Sequence, residues 1–363
     1  MGQIRNFLAS ATIVFAAMPS STNAEQETEL VVGYRAEVPP FSYLAAARPD
    51  GRLTSEVESE EAGRVITGFM INVCYSVIQE MKKHNSFRVR FKEIASAQKR
   101  FEFLEAGEIH VLCDPATINQ ERLAIPSVMV SPPVYLSGIG VAEYDGRQWP
   151  YFWPCIGSVV GVVQGTTAFG AVKTIAEANG FGPTFSPFVE RYLYNDVASP
   201  FQLPAEEVPN CNAQAQADSV ALQKLDDMAT AYAARTAPPV VRDFSDHKSL
   251  ATALCKGEIY YSVGDLEIIA RALSSVKNSG QQDCAASVNS LVFTEERYGI
   301  FAHVSKEMTE TDRLVLSFLR QLSIEIHKGE DSVLVRSFID NFKRSEISRS
   351  LDVFFWSVVA GSK

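Results

Sequence analysis

The sequence has no excess of positive charge, and no stretch of it forms a basic cluster. Its 33 Lys and Arg are outnumbered by 43 Asp and Glu, which gives a formal net charge of −10. Nucleic acids and anionic membranes are bound by basic surfaces. We therefore expect neither of them as a partner.

The sequence also has little that could carry catalysis or hold a metal. It contains six Cys and five His, without a CxxC or Cys/His spacing typical of zinc. A serine nucleophile elbow and a phosphate-binding loop are missing as well. His110 falls in a predicted strand and His247 near a predicted helix start, where structural roles suffice. We expect no cofactor, no metal and no catalytic residue.

No apolar run has the ~20 residues that a membrane-spanning helix needs. The run at 8–18 follows Arg5 and precedes small and polar residues up to Ala24. This is the layout of a signal peptide at 1–24, so we expect cleavage after Ala24 and a periplasmic protein. The apolar run at 351–360 is also too short to span a bilayer, and we expect it to pack on the body of the protein; a surface or partner contact is the alternative.

The cysteines permit disulfides because an exported protein meets an oxidising compartment. Cys74 and Cys113 fall on a predicted apolar helix and strand, and we expect buried free thiols there. The remaining four allow three different pairings, between which the sequence does not choose: Cys155, Cys211, Cys255 and Cys284.

Strand and helix patterns alternate in two α/β series. The first series occupies 25–148, and the composition changes around Trp149. The second series occupies 149–297, with a Pro-, Asn- and Gln-rich insertion at about 180–239, and 298–363 returns to the first. The predicted strands are 29–34, 87–91, 109–113, 159–163, 240–244, 259–263, 289–293 and 298–302. The predicted helices are 68–81, 97–106, 249–255, 310–327, 332–342 and one that starts at 168.

The most informative stretch is 114–122, which follows the predicted buried strand 109–113. Thr117, free backbone amides and the guanidinium of Arg122 lie there within a few residues of one another. Ligands of open α/β sheets bind at this edge, and Arg presents a planar fork that matches a carboxylate. We predict that the stretch holds the carboxylate of a small ligand; the alternative is a solvated Arg122.

The order of several motifs resembles that of bacterial extracellular solute-binding proteins of the polar amino-acid class, the type II periplasmic receptors of ABC importers. The resemblance covers roughly 30–342. The motifs that carry it are Pro39-Pro40-Phe41-Ser42-Tyr43, Gly68-Phe69, Leu104-x-x-Gly107, Thr117-x-x-x-Glu121-Arg122, Gln164-Gly165-Thr166-Thr167, Leu254-x-x-Gly257, Gly264-Asp265 and Tyr298-Gly299-Ile300. It implies two α/β lobes, each a sheet flanked by helices, joined by a two-strand hinge and closing on one ligand.

The same resemblance implies a set of ligand-binding residues. Arg122 and Thr117 of lobe one and Thr167 of lobe two would hold the ligand carboxylate, and Asp265 its ammonium group. Asp265 and Thr167 could instead be helix N-caps. Phe41 could line the ligand side chain or belong to an aromatic core.

Two places depart from the family pattern. Asp114-Pro115 stands where the family has small residues, and Val38 where it often has an aromatic ring. Proline removes an amide donor, and Asp114 adds a negative charge beside the expected carboxylate. Asp114 could therefore select a ligand with a cationic side chain.

The resemblance implies a receptor that delivers an amino-acid-like solute, zwitterionic or anionic, to an inner-membrane ABC permease. The same fold also hosts a prephenate or arogenate dehydratase, which needs a cleft acid; Asp114 or Glu37 could serve. A sensory or accessory subunit is a third hypothesis, prompted by the insertion and the C-terminal extension.

Overall fold

The computed structural model describes residues 27–46, 57–58, 64–144, 160–172, 241–259, 261–279, 284–289, 292–342, 351 and 353–355. The predicted signal peptide and the insertion at 180–239 lie outside these residues. No helix in the described ranges is both long and apolar enough to cross a membrane.

The first five-stranded sheet is mixed, in the order β6-β1-β7-β16-β8. Its interior strand β1 (Glu29–Tyr34) is apolar and buried along most of its length, as expected for a strand covered on both faces. This sheet and its helices form lobe one. The strands are β1 (Glu29–Tyr34), β6 (Arg88–Glu93), β7 (Val111–Leu112), β8 (Val128–Val130) and β16 (Phe301–His303). The helices are α1 (Phe69–Lys82), α2 (Lys99–Glu105), α3 (Gln120–Leu123), α6 (Glu310–Ile326) and α7 (Val333–Asn341), with a 3₁₀ turn at Gly329–Asp331.

The second five-stranded sheet has the order β12-β11-β13-β10-β14 and forms lobe two. Here β11 pairs in parallel with β12 and β13, while β10 runs antiparallel to β13 and β14. The strands are β10 (Ile139–Tyr144), β11 (Val160–Val163), β12 (Val241–Phe244), β13 (Tyr261–Asp265) and β14 (Ala286–Val288). The helices are α4 (His247–Cys255) and α5 (Leu266–Asn278), and another begins at 168.

Two short antiparallel strands connect the lobes, β9 (Tyr135–Ser137) and β15 (Glu296–Tyr298). The chain enters lobe two after β9 and returns to lobe one after β15. Since β10 already belongs to the second sheet, this crossing precedes Trp149, where the composition changes. The architecture is the predicted two-lobed α/β fold with a two-strand hinge.

A four-stranded antiparallel sheet follows β1, in the order β2-β3-β5-β4. Pro39-Pro40 makes a cis turn between the first two strands. The motif at 39–43 runs into β3 (Ser42–Ala46), whose backbone pairs with that of β5 (Arg64–Thr67). The strands are β2 (Glu37–Val38), β3 (Ser42–Ala46), β4 (Val57–Glu58) and β5 (Arg64–Thr67).

An aromatic cluster fills lobe one behind the hinge. Phe41, Phe69, Tyr135 and Tyr298 are almost completely buried and pack mostly edge to face, a favourable arrangement for rings. Phe355 joins this cluster, so the prediction that the C-terminal run packs on the body is confirmed for the part that is described.

The cysteine prediction was wrong at one pair. Cys74 and Cys113 form a disulfide rather than two free thiols. The apolar patterns placed them on α1 and at the end of β7, but only the fold brings their Cα atoms to 6.2 Å, well within bonding range. Cys255 pairs with Cys284, one of the three pairings that the sequence left open.

Two predicted strands near the hinge also differ from the structure. Of the strand predicted at 289–293, the described residues 289, 292 and 293 are not in a strand, and β14 ends at Val288. The predicted strand 298–302 is divided between β15 and β16 at Gly299. A side chain at Gly299 would come within 2.7 Å of Val130 and 2.9 Å of Ile118, so this close approach requires glycine.

Candidate functional site

The candidate site lies where the lobes meet, at the carboxyl ends of β7, β11 and β13. The Thr117 hydroxyl of lobe one lies 3.4 Å from the Thr167 hydroxyl of lobe two. Beside them, Arg100 Nη2 lies 3.4 Å from the carbonyl oxygen of Gly165. The structure therefore places two of the predicted ligand-binding residues, Thr117 and Thr167, on opposite walls of one cleft.

Arg122 is buried at this cleft and is not the solvated residue of the alternative interpretation. It belongs to the short helix α3, whose N-cap Asn119 accepts a hydrogen bond from the Arg122 amide at 2.9 Å. Its guanidinium donates to the Thr117 carbonyl at 2.7 Å and lies 4.7 Å from the centre of the Phe101 ring. These contacts hold the Arg122 guanidinium in place, and it has further N–H donors that they do not use.

Asp265 ends β13 and stands at the N-cap position of α5, yet its side chain makes no capping hydrogen bond. The carboxylate is buried, and its Oδ1 atom has no hydrogen-bond partner. Burial raises the pKa of Asp265 to about 6, against the effect of the neighbouring Tyr298 hydroxyl. A buried acceptor without a donor is costly, so the capping interpretation does not account for this residue.

Two further acids lie toward the hinge from Asp265. Glu267 accepts a hydrogen bond from the Ser137 hydroxyl at 2.7 Å, and burial raises its pKa to about 7. Glu296 accepts from Thr294 through Oε1, while its buried Oε2 has no partner. Acidic side chains thus cluster at the hinge end of the cleft.

Asp114 is completely buried and already paired. Its Oδ2 accepts from Arg35 Nε and from Arg100 Nη1, both at 2.8 Å, and its Oδ1 accepts from the Ser42 hydroxyl at 3.1 Å. Burial alone would raise the pKa of Asp114, but the two guanidinium groups outweigh it and the pKa is lowered. Asp114 therefore stays ionised and anchors two arginines.

Sequence reasoning missed both of these arginines. Arg35 directly follows the buried strand β1, and Arg100 lies on α2 four residues before the buried Leu104. An arginine on the apolar face of a helix is unusual unless it is paired, and this signal was available in the sequence. Burial, with Arg35 and Arg122 nearby, lowers the pKa of Arg100 to about 9.

His247 of lobe two faces the same group of charges. It starts α4, where Asp246 caps the helix by accepting from the Ser249 amide at 2.7 Å. Burial, with Arg35 beside it, lowers the pKa of His247 to about 3. Its imidazole is therefore neutral at ordinary pH.

Phe41 lies in the aromatic cluster, with no exposed surface. Its ring centre is 4.8 Å from that of Tyr135 and 5.4 Å from that of Tyr298. Of the two roles predicted for Phe41, this position fits membership of the aromatic core.

No protein-family model matches the sequence, and no curated protein matches it. Solved structures do resemble it. An ancestral arginine-binding protein bound to arginine shares 18% identity and a TM-score of 0.53, over 87% of this chain and 99% of its own. The substrate-binding protein of an amino acid ABC transporter shares 13% identity and a TM-score of 0.52, over 87% and 100%.

A third similar structure is the arginine-, lysine-, histidine-binding protein ArtJ of Geobacillus stearothermophilus. It shares 16% identity and a TM-score of 0.50, over 87% of this chain and 97% of its own. At identities this low, the three comparisons show the fold. The chain has the two-lobed architecture of these amino-acid-binding proteins along almost their whole length.

Proposed function

We propose that this chain is an exported solute-binding protein that captures an amino-acid-like molecule between its lobes and delivers it to an ABC permease. One observation carries the proposal. The buried Asp265 Oδ1 has no donor within the described part of the chain, and it lies at the same cleft as the fixed guanidinium of Arg122.

The two groups match the two ends of a zwitterion. Arg122 stays protonated and offers a planar fork for a carboxylate, with the Thr117 and Thr167 hydroxyls as further donors. Asp265 offers an acceptor to an ammonium group. Because an opposite charge favours the ionised form, a bound ammonium would offset the effect of burial on the pKa of Asp265.

Dividing these groups between two lobes makes closure depend on the ligand, since each lobe supplies part of the binding free energy. The lobes approach closely at Gly165, which has a positive φ of 70°. A Cβ atom there would lie 2.6 Å from the Gln98 backbone. A glycine at this point supports a closing motion that brings the two walls into contact.

The similar structures support the same function. Two of them are described as binding arginine, and one of those also lysine and histidine; the third belongs to an amino acid ABC transporter. The predicted signal peptide at 1–24 fits a periplasmic receptor. N-terminal sequencing of the exported protein should begin at Glu25.

The dehydratase alternative needs an acid that gives up a proton. Asp114 does not suit that role, because its pKa is lowered and both of its oxygens already accept hydrogen bonds. Glu37 is exposed on β2. Neither the paired Asp114 nor the exposed Glu37 therefore suits the role of a buried general acid. The sensory or accessory alternative relies on segments outside the described residues, and no described contact favours it.

A thermal-shift screen over amino acids and small organic acids tests the proposal, because a ligand that binds only the folded state raises the unfolding temperature. Calorimetry on Arg122→Ala should then show a loss of at least ~2 kcal/mol, typical of removing one side of a buried charge pair. Arg297→Ala is the matched control, because its side chain is exposed on β15. Equal affinities for the Arg122 variant and the wild type would remove Arg122 from the site.

A further inference from the structure

The lobe-one wall of the cleft carries more positive than negative charge. Arg35 and Arg100 both contact Asp114 Oδ2 at 2.8 Å, so one carboxylate serves two cations. All three side chains are buried. A buried charge is costly unless it is paired. One positive charge of this cluster, which we call the Arg35–Asp114–Arg100 triad, therefore lacks a counterion.

The triad also has unused hydrogen-bond donors. Arg100 Nε is buried without a partner, and Arg100 Nη2 reaches only the Gly165 carbonyl at 3.4 Å, longer than an ordinary hydrogen bond. Arg35 donates to Asp114 through Nε, and its two terminal nitrogens have no acceptor within the described ranges. Donors that are held in place but unpaired are the feature expected of a site for an anion.

Within the described ranges, Asp114 is the acid that forms ion pairs with Arg35 and Arg100, and no other acid of the cleft does so. Burial lowers the pKa of Arg122, whereas Glu296 and Asp265 raise it. Asp265 also interacts electrostatically with Arg100 and Arg35, which act to lower its pKa, but in the described part of the chain it forms no ion pair with either of them. Glu267 is bonded to the hinge residue Ser137. The cleft is thus polarised, with acids at the hinge end and the two arginines of the triad at the other.

We propose that Arg35 and Arg100 form a second anion subsite, which selects amino acids whose side chain carries a negative charge. The inference rests on the proposed function, in which Arg122 and Asp265 hold the carboxylate and ammonium common to all amino acids. Asp114 is a positioning residue that holds both forks. A ligand with a cationic side chain would face two guanidinium groups. The structure therefore favours an anionic side chain over the cationic one that an unpaired Asp114 would select.

Calorimetric titration of the purified wild-type protein with matched ligands tests the inference. L-glutamate and L-aspartate are compared with L-glutamine and L-asparagine, which have the same shape without the charge. O-phospho-L-serine distinguishes a phosphate from a carboxylate side chain, and L-arginine is the cationic probe. We expect the anionic ligands to bind roughly thirtyfold or more tightly than their amides, the factor that corresponds to one buried charge interaction.

A variant locates the preference. Arg35→Gln should lose most of the advantage of L-glutamate over L-glutamine, measured as the ratio of the two dissociation constants in the same variant. Arg90→Gln is the matched control, because Arg90 pairs with Glu29 on the outer surface of lobe one. Arg35→Lys keeps the charge and should keep part of the preference. The folding of each variant is checked by its thermal unfolding curve. The ranking of ligand affinities in the wild-type protein tests the inference without any variant.

The outcomes separate this inference from the proposed function. Amides or L-arginine binding as tightly as L-glutamate would overturn the anion subsite alone. A preference for L-glutamate that survives Arg35→Gln in a folded protein would also overturn it. If none of the amino acids binds, the proposed function fails, and this inference fails with it.

Discussion

Asp114 and Asp265 occupy corresponding places in the two lobes and have opposite surroundings. Each is a buried carboxylate near the end of a strand at the cleft: Asp265 is the last residue of β13, and Asp114 lies two residues after β7. Asp114 accepts from two guanidinium groups and one hydroxyl, and its pKa is lowered. Asp265 has an oxygen with no donor, and its pKa is raised to about 6.

This difference separates a carboxylate that stabilises the protein from one that is available to a ligand. The pairing of Asp114 is complete before any ligand arrives, so its removal should affect the folded state. The pairing of Asp265 is incomplete, so its removal should affect binding. Position relative to a strand does not distinguish the two roles, because both acids lie near a strand end. The hydrogen-bond partners of the two carboxylates distinguish them.

The largest expected effect is on stability, from Asp114→Ala. This change leaves two buried guanidinium groups without a carboxylate, and breaking a buried ion pair from one side costs about 3–5 kcal/mol. Chemical denaturation of the ligand-free protein measures the loss. Asp340→Ala, at an exposed position of α7, should stay within about 0.5 kcal/mol of the wild type. If Asp114→Ala also stayed within that range, the triad would not contribute to stability.

The sequence predicted the architecture because strand, helix and turn patterns are local. It also singled out the stretch 114–122, which directly follows a predicted strand, whereas the family resemblance pointed to Asp265. The triad could not be found in this way: Arg35 and Asp114 are separated by 79 residues, and only the pairing of β1 with β7 brings them together. For this reason Asp114 looked like an unpaired charge in the sequence.

The disulfide between Cys74 and Cys113 was missed for the same reason. Its half-cystines are 39 residues apart, and each lies in an apolar pattern that a buried thiol would satisfy equally well. Burial can be predicted from periodicity, but a partner cannot. One signal of the triad was available in the sequence and was not used: Arg100 faces the core beside Leu104.

The next effect is on affinity, from Asp265→Ala. The variant should lose at least ~2 kcal/mol of binding free energy for an amino acid, because the ligand ammonium would be left without its acceptor. Its unfolding free energy should stay the same or rise, since a buried unpaired carboxylate is removed. Calorimetry and chemical denaturation measure the two quantities.

Asp246→Ala provides the contrast within the same lobe. Asp246 caps α4 with a real hydrogen bond to the Ser249 amide, so its loss should cost about 1 kcal/mol of stability and leave affinity unchanged. A loss of stability in Asp265→Ala equal to that in Asp246→Ala would mean that Asp265 also acts as a cap.

The smallest effect is the pH dependence of binding. In the ligand-free protein the pKa of Asp265 is raised to about 6, whereas a bound ammonium group would lower it. The ligand therefore binds the ionised form, and below pH 6 binding must release a proton. Affinity should fall as the pH falls, by roughly tenfold between pH 7 and pH 5, or about 1.4 kcal/mol.

The ligand-free protein should respond in the opposite direction. Because the folded-state pKa of Asp265 lies above its unfolded value, its contribution to stability is complete below about pH 4 and is lost as the pH rises through 6. Asp114, with a lowered pKa, contributes stability that is lost only in acid. Titrations at several pH values compare the wild type with Asp265→Asn, which has no carboxyl to ionise at this position. Its affinity should depend on pH between 5 and 7 much less than that of the wild type, although the neighbouring Glu267, with a pKa of about 7, still titrates there. If the wild type depended on pH no more than the variant, the ligand would not pair with Asp265, and the contrast between the two aspartates would lose its functional meaning.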